Sequence, residues 1–200
     1  NFTTTENATK LAPDANNGGS TYYRSTIGDT TITNCDFVQV SAETQGGALR
    51  FRTNGAVKSV TMDDVNFDSC EAVQAGSAIM LGDTIIPSFT YSNSIIQNCK
   101  TSLNDSSEVG GTFRTIGKTT CAAFLTNIRF INNASHCSGG GVYWNAAGVR
   151  RIWENSPVTT AISLDQCTFD GNTAGWYGGG IYCESVMSVT KCELKNNISV

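Results

Sequence analysis

The residues able to do chemistry are few and lie apart. Eight cysteines, Cys35, Cys70, Cys99, Cys121, Cys137, Cys167, Cys183 and Cys192, are scattered singly along 200 residues. No CxxC occurs, which removes zinc ribbons and thioredoxin-like dithiols. Dispersed cysteines in this number suit an oxidising, extracellular compartment. Asp63-Asp64 is the only adjacent acidic pair. Glycoside cleavage needs two carboxylates flanking one sugar bond, one of them held protonated. One repeat later the equivalent place holds Asn93 and Ser94, so the pair reads as a solvated turn. Gly117-Lys118-Thr119 resembles the end of a phosphate-binding loop, but Thr112 stands where the loop needs its first glycine and no amphipathic helix follows. His136, the sole histidine, adjoins Cys137. Neighbours along an extended chain point to opposite faces, so His136 reads as an exposed turn residue. No catalytic, cofactor-binding or metal-ligating residue is assigned, and the chain is read as a non-enzyme.

Composition sets the elements that must carry these residues. Charged residues are 15% of the chain, net charge is −4 and the isoelectric point is near 4.9. An average globular protein carries about 25% charged residues. Here Thr (25), Ser (19), Asn (18) and Gly (20) take their place. Strong helix formers are scarce and β-branched residues plentiful, which predicts an all-β protein. The acidic balance speaks against nucleic acid as a partner. No apolar run approaches the roughly 18 residues of a membrane span, so no membrane insertion is expected in this segment. Five N-x-[ST] sequons, at Asn1, Asn7, Asn104, Asn133 and Asn197, fit secretion and are candidate glycosylation sites.

A glycine-centred tetrad recurs: Gly46-Gly47-Ala48-Leu49, Gly76-Ser77-Ala78-Ile79, Gly110-Gly111-Thr112-Phe113, Gly139-Gly140-Gly141-Val142 and Gly178-Gly179-Gly180-Ile181, after a degenerate copy at Gly18-Gly19. First glycines are 28, 30, 34, 29 and 39 residues apart. Between tetrads a large apolar residue precedes Asn or Cys by three positions: Phe67 and Cys70, Ile96 and Cys99, Phe130 and Asn133, Phe169 and Asn172, Leu194 and Asn197, with a degenerate copy from Phe37 to Val40. Short strand patterns flank both motifs. A propeller blade needs about 40 to 45 residues and four strands, more than most units hold. A parallel β-helix coil fits, with corners that tolerate insertions. Equivalent residues of successive coils then stack at about 4.8 Å. Phe37, Phe67, Ile96, Phe130, Phe169 and Leu194 are expected to form an inner ladder. Asn133, Asn172 and Asn197 are expected at a left-handed corner, bonding to turn backbone or to each other. Paired glycines serve the other corner.

The two motifs resemble the GGA[ILV] and FxxN repeats of the polymorphic outer membrane protein family of chlamydial surface autotransporters. The strict forms are Gly46–Leu49, Phe130–Asn133 and Phe169–Asn172, and the copies cover roughly residues 16–200. The resemblance implies a right-handed parallel β-helix exposed at a cell surface, with adhesive roles and no catalytic residues.

The expected organisation is a polar N-terminal cap or linker over 1–15 and an all-β, right-handed parallel β-helix of about six coils over 16–200, truncated within a repeat. The chain starts at Asn1 and stops in mid-pattern, which reads as part of a longer secreted glycoprotein. Its expected role is that of a rigid glycan-bearing rod, structural or adhesive. The alternatives are a filament subunit and a carbohydrate-active β-helix enzyme. Stacking predicts disulfides Cys70–Cys99 and Cys167–Cys192, with Cys121–Cys137 as a further pairing; Cys35 and Cys183 have no assigned partner. Insertions fall at 101–109 and 145–160. The second carries Arg150, Arg151 and Trp153, a combination suited to recognition. Partners under this reading are a second copy, end to end, or a cell-surface or carbohydrate ligand.

Overall fold

A computed structural model describes residues 2–4, 10–11, 21–24, 28–52, 59–82, 85–102, 110–116, 119–145 and 161–200. They form a right-handed parallel β-helix, with three sheets built from one strand, or one strand pair, per coil. The first and widest sheet stacks β4 (Asp29–Val38), β7 (Ser59–Asp68), β10 (Ile85–Gln97) and β13 (Thr120–Ile131). It continues through β16 (Ala161–Asp165) with β17 (Thr168–Asp170), then β20 (Val186–Thr190) with β21 (Glu193–Lys195). The second sheet has two-residue strands: β5 (Ser41–Ala42), β8 (Glu71–Ala72), β11 (Lys100–Thr101), β14 (Ala134–Ser135), β18 (Thr173–Ala174) and β22 (Ile198–Ser199). The third holds β3 (Thr21–Arg24), β6 (Leu49–Arg52), β9 (Ile79–Gly82), β12 (Phe113–Ile116), β15 (Val142–Trp144) and β19 (Ile181–Cys183). The described residues thus make five complete coils and part of a sixth. β1 (Phe2–Thr4) and β2 (Lys10–Leu11) run antiparallel to β4 and β3 at the first rung. Among the described residues no helix is long and apolar enough to cross a membrane.

The register follows the motifs. Phe37 pairs with Phe67, Phe67 with Ile96, Ile96 with Phe130, Phe130 with Phe169 and Phe169 with Leu194. Phe67, Ile96, Phe130 and Phe169 are fully buried. The Phe130 and Phe169 rings stack at 4.7 Å and 4°, and Phe37 and Phe67 at 5.0 Å and 7°. Each such pair adds about 0.5–1.5 kcal/mol beyond burial. The ladder ends at Leu194, which is 53% exposed on the last rung.

The corners differ from expectation in one respect. The left-handed residue is not the motif Asn but the one before it: Gln39, Ser69, Asn98, Asn132, Gly171 and Asn196. A second left-handed column, three residues ahead of the ladder, comprises Asn34, Asp64, Asn93, Asn127, Gln166 and Lys191. It bends the wide sheet without ending it, so segments that read as separate short strands are continuous from β4 to β13. Shifting the bend one place turns Asn133 and Asn172 inward, where both are completely buried. In the glycine corner only Gly46, Gly76, Gly111, Gly139 and Gly178 have positive φ. Apart from Gly111, itself the second of its pair, the second glycine answers a different need. A Cβ at Gly140 would lie 2.1 Å from the Gly179 carbonyl oxygen, because neighbouring coils approach backbone to backbone there.

Candidate functional site

The inward corner column runs Val40, Cys70, Cys99, Asn133, Asn172, Asn197. The Asn133 Nδ2 donates to the Ile96 carbonyl at 2.9 Å and to the Asn172 Oδ1 at 2.9 Å. Its Oδ1 accepts the Cys99 N–H at 3.0 Å. Asn172 repeats the arrangement, donating to the Phe130 carbonyl and the Asn197 Oδ1 and accepting the Asn133 N–H. A buried amide earns its place by filling all its bonds, and the inner protons of Asn133 are committed to neighbouring coils. A glycan at Asn133 would need the nitrogen that bridges two rungs inside the fold, so the burial speaks against that expected site. Asn197 is partly exposed on the last rung. Asn1, Asn7 and Asn104 lie outside the described residues, as do Arg150, Arg151 and Trp153.

Cys70, Cys99, Cys121, Cys167, Cys183 and Cys192 are free thiols. Cys70 and Cys99 are nevertheless in hydrogen-bond contact, as the column requires. That bond lowers the Cys70 thiol, while the same bond and burial push Cys99 well up. Cys167 and Cys192 also stack: the Cys167 N–H meets the Cys192 Sγ at 3.3 Å, and burial pushes Cys167 up to about 11. Cys121 and Cys137, the further expected pairing, lie in different clusters. Cys121 sits in the main core, whereas Cys137 belongs to a separate small cluster with Ala75 and Met80. Cys35 and Cys183 pack partly buried against the main core.

Outside, the wide sheet carries neutral and acidic side chains that bond from rung to rung. The Asp63 carboxylate accepts from Ser92 Oγ at 2.7 Å and Asn93 Nδ2 at 2.8 Å. Those bonds hold it below the usual carboxylate range, the opposite of the shift an acid catalyst needs. Asp64 occupies the left-handed bend, so the pair sits within β7 and not in a terminal turn. Asp68 is likewise lowered, by Asn98, Gln97 and Ser69. Thr119 is buried and donates to the Leu81 carbonyl; Gly117 and Lys118 lie outside the described residues. Among the described residues no three His, Cys, Asp or Glu gather where a metal could sit.

Aromatic residues gather where the second sheet turns into the third. Arg114 lies 4.3 Å over the Tyr143 ring, Tyr143 is 5.0 Å from Tyr182, and Tyr182 stacks on Tyr177 at 6.0 Å. Arg50, Met80, Arg114 and Tyr143 alternate outward from the third sheet yet are buried, which alternation alone does not predict. Along the second sheet, beside its bend, is a cleft of about 390 Å³ lined by Thr101, Ser135, His136, Thr173, Gly175 and Trp176, among others. His136 and Cys137 face opposite ways as expected, but His136 is not an isolated turn residue. Aligning repeats on the tetrad glycines places Gly175 one rung from His136 and Trp176 one rung from Cys137. The backbone confirms this, with the Gly175 and Trp176 N–H groups bonding to the Ser135 and Cys137 carbonyls. That alignment was the signal available in the sequence for this cleft.

Comparison with known protein families finds a repeat within the chain. Residues 166–184 match the Chlamydia polymorphic membrane protein repeat, the stretch running from the left-handed Gln166 through Phe169, Asn172 and the Gly178 tetrad to β19. No curated protein and no solved structure matches the chain.

Proposed function

We propose that this chain is a non-catalytic, rigid β-helix segment of a cell-surface or secreted protein, whose work is to space and present its outer faces. The observation that carries this reading is the unbroken inner ladder from Phe37 to Leu194, coinciding with a repeat typical of a membrane-protein family. Six rungs at about 4.8 Å make a rod roughly 25 to 30 Å long. Every backbone bond between coils adds stiffness along that axis. The outward Asp63 and Asp68 carboxylates are tied up by neutral neighbours, which suits presentation better than acid–base work. Sequons at Asn1, Asn7 and Asn104 support a glycan-bearing segment.

An oxidising exterior would act on the stacked thiols. Cys70 and Cys99, already in contact, are the pair placed to lose two protons and two electrons to a disulfide oxidant and staple two coils. Surface exposure is tested by staining unpermeabilised cells of the source organism with antibody to the folded segment. Staining that protease shaving removes is expected. Staining only after permeabilisation overturns the proposal.

A further inference from the structure

We infer that the cleft between His136 and Trp176 binds a neutral saccharide. The inference deepens the surface-rod reading and rests on it only for what the cleft would meet.

The argument starts from the lining. The described residues that line the cleft are neutral or imidazole-bearing, with no Asp, Glu, Lys or Arg among them, although the chain as a whole is acidic. Trp176 is 41% exposed beside it. An indole left in water on a rung whose inner ladder residue, Phe169, is fully buried is surface held ready for a flat apolar face. The imidazole of His136 and the hydroxyl of Thr173 border the same space. Neither makes a side-chain hydrogen bond to another described residue. Both can donate and accept.

The floor is kept low by backbone constraint. Gly175 lies directly against the chain of the preceding coil, and a Cβ there would come 2.1 Å from the His136 carbonyl oxygen. The neighbouring small residues Ala134 and Ala174 complete it. Val200 borders the last-rung side. An aromatic wall, a shallow floor and a few neutral hydrogen-bonding groups match the two aspects of a sugar ring, whose C–H face is apolar and whose edge is all hydroxyl. The volume of about 390 Å³ sits at the small end of ligand sites, which run from about 300 to 1,000 Å³. One or two sugar rings would fill it.

The cleft's walls come from three successive coils, with Thr101, His136 and Trp176 each on its own rung. Recognition therefore depends on coil stacking rather than on a loop. A lengthened or slipped coil would dismantle it.

The test uses the secreted chain on a printed array of neutral and sialylated oligosaccharides. The best binder is then titrated calorimetrically. At least one neutral oligosaccharide is expected to bind. Trp176→Ala should weaken it about tenfold, the size of one aromatic contact, and His136→Ala several-fold. Tyr177→Ala, on the exposed aromatic stack outside the cleft, should leave binding unchanged. Circular dichroism melting of each variant keeps folding separate from binding. A folded rod that binds no neutral oligosaccharide at millimolar concentration overturns the inference while leaving the rod reading intact. So does binding that Trp176→Ala does not weaken, or a preference confined to sialylated ligands. A surface-staining failure would instead overturn the rod reading and leave the cleft's affinity standing.

Discussion

The same inner corner is solved twice in this molecule, by different side chains. In the downstream coils the Asn133 side chain fills three bonds and the Asn172 side chain four, each tying three rungs together. Upstream, Cys70 and Cys99 occupy the same column; besides each other, the Cys70 thiol reaches the Phe37 and Asp68 carbonyls at 3.4 and 3.7 Å and the Cys99 thiol the Gln97 carbonyl at 3.2 Å. Sulfur is a weak partner in both directions. The position therefore does not demand a hydrogen-bond bridge. It demands a small, inward, buried group, and an amide supplies the bridge in addition. The downstream corner should be the stiffer one, and the upstream corner the one open to covalent stapling.

The largest effect expected is from Asn172→Ala. It leaves the Asn133 N–H, one Asn133 amide proton and the Phe130 carbonyl without partners inside the core. At roughly 1–3 kcal/mol for each buried group stranded, a loss of about 3–6 kcal/mol is expected in chemical denaturation. Cys99→Ala strands far less and should cost about 1–2 kcal/mol. Equal losses at the two positions would erase the contrast.

Cys99→Asn sharpens it. A new amide there stands one rung from the Asn133 Oδ1 and next to the Cys70 N–H, which already bonds to the Cys99 Sγ. The amide ladder would lengthen by a rung, with an expected gain of about 0.5–1.5 kcal/mol. A destabilised variant would show that the upstream coils are spaced for sulfur.

A smaller effect separates thiol from amide by pH. Cys167 is raised from 9.0 to about 11 by burial, so its folded form keeps its proton after the unfolded chain has lost it. Above pH 9 the unfolded state binds fewer protons, and stability falls with rising pH. The contribution is complete below about pH 9 and lost through pH 11. The melting temperature should decline across that window, and decline less in Cys167→Ala. An amide does not titrate, so Asn172 and Asn133 add nothing to the slope.

Much of this was legible in the sequence. The apolar residue with Asn or Cys three places on gave the inner ladder and its register, because stacked coils repeat residue types at fixed offsets. The shared column of Cys70, Cys99 and the asparagines came from the same offset. The left-handed bend was not legible. Gln39, Ser69, Asn98, Asn132, Gly171 and Asn196 include four residue types, so no single type marks their column, and the Asn at the next position invited the wrong assignment. Burial of Asn133 followed from that one-residue shift. Burial of Arg50 and Arg114 on an outward face is something that periodicity does not report. The cleft escaped because His136 and Trp176 are 40 residues apart and differ by one place in their repeats.

The buried amide bridge is tested most directly by side-chain hydrogen exchange, read by NMR on chain labelled with nitrogen-15. Asn196 is the internal control, since it adjoins the ladder but is exposed, donating to Asp170 at 2.9 Å on the outer surface. The amide protons of Asn133 and Asn172 should exchange as slowly as the backbone N–H groups of Phe130 and Phe169, and far more slowly than those of Asn196. Exchange of Asn133 and Asn172 at the rate of Asn196 would contradict the inward ladder and the coil register built on it.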